Sequence, residues 1–382
     1  MQRTRLNDAD AVVVLEELPT ASGHHLALAT LNSEKTLNSL SLPMIDILRP
    51  ALDAWRRRDD VVAVLVRGAG ERAFCAGGDI QALYRAMGRN ADAGRLVDDY
   101  CERFFESEYR LDYALHTYPK PILTFGHGVV MGGGLGIFSA SRFRLVTEKT
   151  RIAMPEVTIG LFPDAGASWT LKHLPVAHAL FLGATGSSIG GGDALRLGIA
   201  THAVVPTVWD DLVAALQALA WSGDRSDEAR IDACLAARSV ALAEGPLARS
   251  DAVLCATLST VPSDAAALAA AVASLAGRDE WIDRGIAAMQ RGCATTVGIV
   301  AEQVRRVASL GLADCFRMEL VVATHCARND EFREGVRALL IDKDNAPKWR
   351  YADATRLPRA HVLSHFDAPW PVNPLRDLEI SA

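Results

Sequence analysis

The sequence has little that would tie it to an oxidising compartment, a metal centre or a bilayer. Its seven cysteines are scattered, and none forms a Cys-x-x-Cys pair. This pattern excludes an obvious disulfide or zinc framework and favours reduced, buried thiols. The ten histidines show no metal-ligand spacing, so no metal site is expected. There is no run of about 18 apolar residues, so no membrane span is expected either.

Acidic residues outnumber basic ones, by 46 to 40, and lysine is scarce among the basic residues. The net charge of −6 and the pI near 5.9 argue against a general nucleic-acid-binding protein. Near the N-terminus, Arg3 and Arg5 are followed by Asp8 and Asp10 without the apolar core of a secretory signal, so we expect a cytoplasmic protein. The six lysines are Lys35, Lys120, Lys149, Lys172, Lys343 and Lys348.

Short apolar runs alternate with helical patterns through the first half of the chain. Half of the 382 residues are hydrophobic, which is enough to bury a large core. Helices are predicted over 41–58, with a kink at Pro50, and over 80–87 and 91–117. From about residue 176 the pattern is helical and alanine-rich. The alternation of strands and helices before that point indicates an α/β architecture, and the later pattern indicates a helical region after it. Strands are predicted at 11–15, 25–31, 61–66, 121–125, 143–146 and 199–205.

Two glycine-rich loops follow predicted strands and open predicted helices. The first is Ala76-Gly-Gly78, and the second is the triple glycine Gly132 to Gly134. Such turns bring the backbone close to a ligand and leave N–H groups at the start of a helix unpaired. Because ligands in open α/β sheets lie at the carboxyl ends of strands, we expect both loops to face one pocket. The alternative is two tight turns that need glycine for backbone reasons alone.

Two carboxylates follow the second loop in Pro- and Gly-rich sequence, eight residues apart. They are Glu156 and Asp164. Backbone donors beside carboxylates suit acyl chemistry, in which negative charge develops on a carbonyl oxygen. Two acids in one apolar pocket would also push one pKa upward. The alternatives are a solvated loop acid and, for Asp164 before Ala165 and Gly166, a helix N-cap.

Four segments of the chain together resemble the crotonase (enoyl-CoA hydratase/isomerase) superfamily. One glycine loop alone would not be specific for this superfamily. Within it, the chain is most similar to the branch that hydrolyses 3-hydroxyisobutyryl-CoA, a step of valine breakdown. The resemblance is strong over about 10–205 and 325–350 and weak over 210–320. The segments are Ala73-Phe-Cys-Ala-Gly-Gly-Asp-Ile80, Met131–Gly136, Met154–Asp164 (with Glu148-Lys149 before it), and Glu334–Asp344 with Pro347-Lys-Trp349.

The resemblance implies a crotonase-like (ββα)n spiral core with a C-terminal helical region. Residues 1–205 would form the acyl-CoA-binding catalytic core. Residues 206–382 would complete the CoA site and provide contacts for a possible homo-oligomer. An acyl-CoA thioester is the implied substrate, with CoA as part of it and with no metal or other cofactor.

The resemblance also implies roles for particular residues. The N–H groups of Gly78 and Gly133 would form an oxyanion hole. Glu156 would be the main catalytic carboxylate, acting either as the nucleophile or as a general base on water. Asp164 would bind the substrate hydroxyl and help to position water.

The resemblance also implies further contacts to the substrate, and each of these residues has an ordinary structural role as the alternative. Glu108 resembles a substrate-contacting glutamate, but an exposed helix face shared with Glu102 and Glu106 is the alternative. Lys35 lies where the superfamily contacts CoA, and a cation there suits a phosphate. Two cations of the C-terminal segment, Arg333 and Lys343, are candidates to reach the adenine or the phosphates. For these three cations an ordinary surface charge is the alternative.

One departure from the superfamily pattern separates the possible reactions. Hydratases carry a second catalytic glutamate where this chain has Gly136, so simple hydration is disfavoured. Isomerases use a single acid at the position of Glu156 and do not need Asp164. We therefore expect a CoA-thioester hydrolase. The alternatives are an enoyl-CoA isomerase or hydratase, and a non-catalytic acyl-CoA-binding protein.

Overall fold

The computed structural model describes residues 3–379, which divide into two units of packed secondary structure. Each unit is assembled from three separate segments of the chain. The first unit comprises the chain up to residue 78, residues 114–152 and residues 189–245. The second unit comprises residues 79–113, residues 153–188 and the chain from residue 246 onward.

The strands are short and lie almost entirely in the first 205 residues. They are β1 (Thr4–Arg5), β2 (Val13–Pro19), β3 (His25–Leu31), β4 (Val61–Gly68), β5 (Ala73–Cys75), β6 (Ile122–Gly126), β7 (Val129–Met131), β8 (Phe143–Val146), β9 (Arg151–Ala153), β10 (Ile189–Gly190) and β11 (His202–Ala203).

Helices occur throughout and make up most of the regular structure after residue 205. They are α1 (Leu42–Arg56), α2 (Ile80–Ala93), α3 (Tyr100–His116), α4 (Gly133–Ala140), α5 (Ala167–His173), α6 (Val176–Thr185), α7 (Gly191–Arg196), α8 (Trp209–Ala218), α9 (Ser226–Ala236), α10 (Pro246–Thr257), α11 (Ala265–Ala273), α12 (Glu280–Arg291), α13 (Ala294–Val307), α14 (Leu312–Arg328), α15 (Asp330–Val336) and α16 (Arg359–Ser364). Short 3₁₀ helices cover Glu34–Thr36, Pro155–Thr158 and Ala354–Arg356, and a π-helix covers Arg337–Ile341.

The strands form two sheets. The larger has the order β1-β2-β3-β4-β6-β8-β11, antiparallel at β1-β2-β3 and parallel from β3 to β11. The smaller has the order β10-β9-β7-β5, with β5 parallel to β7. Successive strand pairs β4-β5 and β6-β7 place one strand in each sheet, and each pair is followed by a helix. This is the repeated ββα arrangement, so the predicted crotonase-like fold is confirmed.

The core of the first unit lies between the larger sheet and the helices α8 and α9. Leu28, Leu65 and Leu123 project from neighbouring parallel strands, and Trp209 and Leu212 of α8 belong to the same buried cluster. Continuous apolar runs are typical of parallel strands that are covered on both faces. The sequence pattern of these strands therefore already indicated their burial.

The second unit is helical and is arranged around α13. This helix is buried along most of its length, including the polar residues Thr296 and Gln303. Buried polar side chains of this kind need hydrogen-bond partners, and both donate to backbone carbonyls of the segment 161–163. Among residues 3–379, no helix combines the length and the apolar character needed to cross a membrane.

The helix predicted over 91–117 is interrupted, and this part of the prediction is wrong. The preceding helix continues to Ala93 and ends at Gly94, whose φ of 61° is left-handed. The side-chain oxygen of Asn90 then accepts N–H bonds from Val97 and Asp98, at 2.8 Å each. This local capping competes with helix formation, and the next helix begins only at Tyr100.

Other boundaries differ by less, and the helix α1 runs through Pro50 without a break. The first long strand begins at Val13 rather than at Ala11, and the last covers only His202–Ala203. The sequence did not predict β5 or β7 as strands. Each has three residues, which is too short for a period-2 pattern to stand out.

Candidate active site

The two glycine loops lie side by side in the first unit. The strands that precede them, β5 and β7, are parallel neighbours, so their carboxyl ends meet at one edge of the smaller sheet. A Cβ placed on Gly77 would lie 3.5 Å from the carbonyl oxygen of Met131. The expectation that both loops meet at one place is therefore confirmed for the loops themselves.

The two amide groups predicted to form an oxyanion hole belong to Gly78 and Gly133. Gly78 forms an isolated bridge with Leu40, and Gly133 is the first residue of α4. Within residues 3–379, neither amide has an assigned hydrogen-bond acceptor. The first N–H groups of a helix have no partner in the helix itself and carry partial positive charge. Gly133 supplies such a group, whereas Gly78 lies before the N-cap Asp79 of α2 and supplies an ordinary unpaired N–H. Both amides are chemically suited to bind a developing oxyanion.

The close approach of the loops makes Gly134 sensitive to any added side chain. A Cβ at this position would lie 2.3 Å from the backbone carbonyl oxygen of Cys75. We therefore expect Gly134→Ala to lower the free energy of unfolding by about 1–3 kcal/mol, measured by urea denaturation. The matched control is Gly88→Ala within α2, where nothing lies within 4 Å and where alanine should stabilise by roughly 0.5–1 kcal/mol. Equal effects of the two substitutions would contradict this account.

Glu156 lies in the second unit, on the 3₁₀ helix Pro155–Thr158, and its side chain is buried. Two hydrogen bonds from the N-terminal end of α13 hold this segment. The Cys293 N–H donates to Val157 O at 2.8 Å, and the Thr296 hydroxyl donates to Leu161 O at 2.5 Å. Its Oε2 is buried without a hydrogen-bond partner in the described part of the chain. Burial, and after it the charge of Asp164, raises the pKa of Glu156 well above its ordinary value.

Asp164 lies in the tight loop before α5, also in the second unit. The hydroxyl of Tyr109 donates to its Oδ2 at 2.6 Å. Burial raises the pKa of Asp164 to about 7, although the bond from Tyr109 opposes this rise. The N-cap of α5 is Gly166, and no side chain caps it. The helix-cap alternative for Asp164 is therefore wrong.

Glu108 is only 2% exposed, so the alternative of an exposed helix face is also wrong. Burial raises its pKa first, and the charges of Asp164, Asp112, Glu319 and Glu156 raise it further, in that order. These couplings bring Glu108 into one electrostatic group with the two predicted catalytic acids.

The second unit thus holds five buried carboxyl groups, and the charges of the other four all act on Glu108. They belong to Glu108, Asp112, Glu156, Asp164 and Glu319, and the pKa of each is raised, first of all by burial. Within residues 3–379, none of the five forms an ion pair with a basic side chain. Like charges in a low-dielectric site cannot all be ionised together. The group therefore holds protons near neutral pH, which suits acid and base chemistry.

Sequence reasoning missed three members of this region: Tyr109, Asp112 and Glu319. The available signal was the helical spacing of Glu108 and Asp112 (i, i+4), which places both on one face of α3. That face is apolar on either side, and the neighbouring Phe105 is buried. A pair of acids on an apolar helix face indicates buried carboxyls.

Asp112 offers a test of the buried protons through stability. Neither of its carboxyl oxygens has a hydrogen-bond partner in the described residues, and burial raises its pKa well above the ordinary value. The folded protein therefore keeps a proton that the unfolded chain loses above about pH 4. The stability from this proton is complete below that pH and is lost as the pH rises towards the pKa of the folded state.

Between pH 5 and pH 8 the free energy of unfolding should therefore decrease less steeply with pH in Asp112→Asn than in the wild type. The slope should shrink by up to one proton, or about 1.4 kcal/mol per pH unit, in urea denaturation series. The exposed Asp92 is the control, since Asp92→Asn should leave the slope unchanged. A slope for Asp112→Asn equal to that of the wild type would show that Asp112 is ionised when folded.

The three cations predicted to contact CoA are not held by ion pairs in the described part of the chain. Lys35 is exposed on the 3₁₀ helix Glu34–Thr36 of the first unit. Arg333 on α15 is half-buried, and Lys343 is exposed in the second unit. Arg337 makes the ion pairs of the C-terminal segment instead, with Glu334 among its partners. The contacts of the three cations with CoA remain a prediction.

One group of potential metal ligands occurs in the second unit, away from these acids in sequence. His178 on α6 meets Asp251 and Cys255, one turn apart on α10, and their ligand atoms lie within 4.8 Å of one another. His178 Nε2 is 2.9 Å from Asp251 Oδ1, and the Cys255 thiol is 3.5 Å from the same oxygen. The contact of His178 with Asp251 and the hydrogen bond from the Cys255 thiol account for these distances without an ion.

Comparison with known proteins places the chain in a family. The family profile described as enoyl-CoA hydratase/isomerase matches residues 26–366. A protein of Danio rerio named 3-hydroxyisobutyryl-CoA hydrolase, mitochondrial, is 36% identical over 84% of this chain and 81% of its own length. 3-Hydroxyisobutyryl-CoA hydrolase 1 of Arabidopsis thaliana is 36% identical over 84% of each chain.

Solved structures share the fold of this chain, but their names differ from those of the relatives above. A carnitinyl-CoA dehydratase from Mycobacterium thermoresistibile is 31% identical, with a TM-score of 0.83 over 97% of this chain and 99% of that one. An enoyl-CoA hydratase from Rhodobacter sphaeroides 2.4.1 is 28% identical, with a TM-score of 0.80 over 94% and 98% of the two chains. With its ββα core, its paired glycine loops and these matches over most of its length, the chain belongs to the enoyl-CoA hydratase/isomerase (crotonase) family.

Proposed function

We propose that this protein hydrolyses 3-hydroxyisobutyryl-CoA to 3-hydroxyisobutyrate and CoA, a step of valine catabolism. The observation that carries the proposal is the pairing of two buried, electrostatically coupled acids, Glu156 and Asp164. The names of the relatives from Danio rerio and Arabidopsis thaliana support it. The absence of a side chain at Gly136, where hydratases have their second glutamate, also favours hydrolysis over hydration.

In this proposal, the N–H groups of Gly78 and Gly133 bind the thioester oxygen as it gains charge. An oxygen nucleophile adds to the carbonyl carbon, the C–S bond then breaks, and the CoA thiolate takes up a proton. One well-placed donor is worth about 3 kcal/mol of transition-state stabilisation. The free amides of both glycines support this role.

Glu156 supplies the attack on the thioester by one of two routes. Its carboxylate adds directly and gives a mixed anhydride that water cleaves, or it removes a proton from the water that attacks. Both routes need an ionised carboxylate, and burial makes that carboxylate a stronger base than an exposed one.

Asp164 and Glu108 determine the preference for a hydroxylated acyl group in this proposal. The Tyr109 hydroxyl occupies one oxygen of Asp164, which leaves the other to accept the substrate hydroxyl. An acyl chain without the hydroxyl would leave a buried carboxyl unpaired, at a cost in binding. Selectivity would thus come from the same acids that are coupled to Glu156.

The remaining assignments concern the CoA part of the substrate. Lys35 contacts it, and the reaction needs no metal or other cofactor in this proposal. We retain the division into a catalytic core, 1–205, and a helical region, 206–382, that completes the CoA site and supports a possible homo-oligomer. Arg333 and Lys343 are the cations of that helical region that would reach the adenine or the phosphates.

A second candidate function is hydration or isomerisation of an enoyl-CoA. It is favoured by the names of the structures with TM-scores of 0.83 and 0.80. It is disfavoured by Gly136, because water addition across a double bond uses two acids in that geometry. A non-catalytic acyl-CoA-binding role is a weaker candidate, because both acids are present.

Free-thiol release from 3-hydroxyisobutyryl-CoA, crotonyl-CoA and butyryl-CoA separates these functions. Rapid release from the hydroxylated substrate alone is the expected result. Loss of the enoyl absorbance of crotonyl-CoA without thiol release would assign the protein to the hydratases. If all three thioesters were bound but unchanged, a binding role would replace the proposal.

A further inference from the structure

The loop that carries Asp164 has an unusual backbone, and a side chain from far along the sequence holds it. Ala165 and Gly166 are both left-handed, with φ of 53° and 81°. In a turn of this kind, neighbouring N–H groups can point towards one centre and form a small anion-binding concavity. For alanine this conformation is strained and persists only where the surroundings enforce it.

The carboxylate of Glu319, on α14, fills this concavity. The Gly166 N–H donates to its Oε2 and the Ser168 N–H donates to its Oε1, at 2.8 Å each. Glu319 is fully buried. A buried carboxyl group that accepts a backbone N–H bond on each of its oxygens is a directional anchor.

A second anchor comes from α13. The side-chain amide of Gln303 donates to the Pro163 carbonyl at 2.6 Å and to the Ser168 hydroxyl at 2.8 Å. Gln303 is also fully buried. The loop is thus held immediately before Asp164 by Gln303 and immediately after it by Glu319, so the position of the Asp164 carboxyl depends on both.

We infer that Glu319 is a positioning residue. Together with Gln303, it holds Asp164 in the position in which its carboxyl binds the hydroxyl of the acyl group. The inference deepens the proposed function and rests on it, because it concerns the hydroxyl selectivity of the same site. It assigns a role to the part of the chain in which the sequence resemblance is weak. An error of about 1 Å in the position of such a group costs about 100-fold in rate.

The key variant is Glu319→Gln, in which the NH₂ group of the amide faces one of the two backbone donors. We expect the ratio of kcat/KM for 3-hydroxyisobutyryl-CoA to that for isobutyryl-CoA to fall by about 10- to 100-fold. KM for isobutyryl-CoA should change little, because that substrate has no hydroxyl for Asp164 to bind, whereas KM for 3-hydroxyisobutyryl-CoA should rise. In an Asp164→Asn background, the same substitution should cause little further loss of selectivity.

Leu320→Ala is the control for simple destabilisation. Leu320 is buried at the next position of α14, so its truncation lowers the melting temperature without touching the Asp164 loop anchors. Selectivity should therefore stay at the wild-type value. A selectivity loss in Leu320→Ala as large as that in Glu319→Gln would overturn the inference, since both would then act through general loosening of the unit.

If Glu319→Gln fails to fold, Ser168→Ala replaces it as the test. This variant removes the Ser168 hydroxyl, which accepts from Gln303 and also bonds to Glu319, and it keeps the backbone N–H donor of residue 168 to Glu319. A partial loss of selectivity supports the inference, and wild-type selectivity in either folded variant overturns it.

Hydrogen exchange of the loop amides tests the anchoring of the Asp164 loop independently of any catalytic activity. The amides of Gly166 and Ser168 should be strongly protected in the wild type and exposed in Glu319→Gln, whatever the substrate. If the wild type releases no thiol from the hydroxylated substrate, the proposed function fails, while loss of protection still supports the anchoring of the loop. Unchanged exchange at both amides would overturn the anchoring itself.

Discussion

Glu156→Gln should abolish thioester cleavage while leaving CoA binding intact. The substitution keeps the shape of the side chain but removes the negative charge that attacks the carbonyl or activates water. Loss of a general base costs about 10²- to 10⁴-fold in rate, and loss of a nucleophile costs more. The measurements are kcat for thiol release and the Kd for CoA by calorimetry. Glu156 lies on a buried 3₁₀ helix, so the variant should still fold.

The control for this variant is Glu148→Gln, eight residues earlier and exposed. It should have wild-type kcat and wild-type affinity for CoA. Full turnover by Glu156→Gln would remove Glu156 from the mechanism. Loss of CoA binding together with turnover would instead indicate that the substitution disturbs the fold of the site.

Asp164→Asn should reduce discrimination for the hydroxylated substrate more than it reduces cleavage itself. The amide keeps the size of the carboxyl, but its NH₂ group competes with the Tyr109 hydroxyl, which donates to Asp164 in the wild type. We expect the preference for 3-hydroxyisobutyryl-CoA over butyryl-CoA to fall by about 10- to 100-fold. The preference is measured as a ratio of kcat/KM values.

Tyr109→Phe provides the companion measurement. It removes the donor but leaves the Asp164 carboxyl, so its selectivity should lie between those of the wild type and Asp164→Asn. Because the bond from Tyr109 lowers the pKa of Asp164, this variant should also shift the pH dependence of selectivity to higher pH. Unchanged selectivity in Asp164→Asn would show that another group reads the hydroxyl.

The sequence predicted the loops and two of the acids because their signals are local. Glycine pairs after short apolar runs mark backbone turns, and β5 and β7 do bring Gly77 close to Met131. Glu156 and Asp164 lie within one Pro- and Gly-rich segment. The family resemblance added the relation between these features, which composition and spacing do not contain.

The rest of the acid cluster depends on contacts between distant segments. Glu319 is more than 150 residues from Gly166, which donates to it, and no local pattern in α14 indicates that partner. Tyr109 reads as an ordinary core aromatic until its hydroxyl is found beside Asp164. For Glu108, nearby Glu102 and Glu106 suggested an exposed face, whereas the side chain points into the core.

The most direct test compares two thioesters that differ only in the hydroxyl group. Wild-type protein is assayed for thiol release from 3-hydroxyisobutyryl-CoA and from isobutyryl-CoA, under identical conditions. The account predicts that the hydroxylated thioester is cleaved with a kcat/KM at least about 100-fold higher. Equal rates for the two thioesters, or cleavage of isobutyryl-CoA alone, would contradict the claim that buried acids select the hydroxylated acyl group.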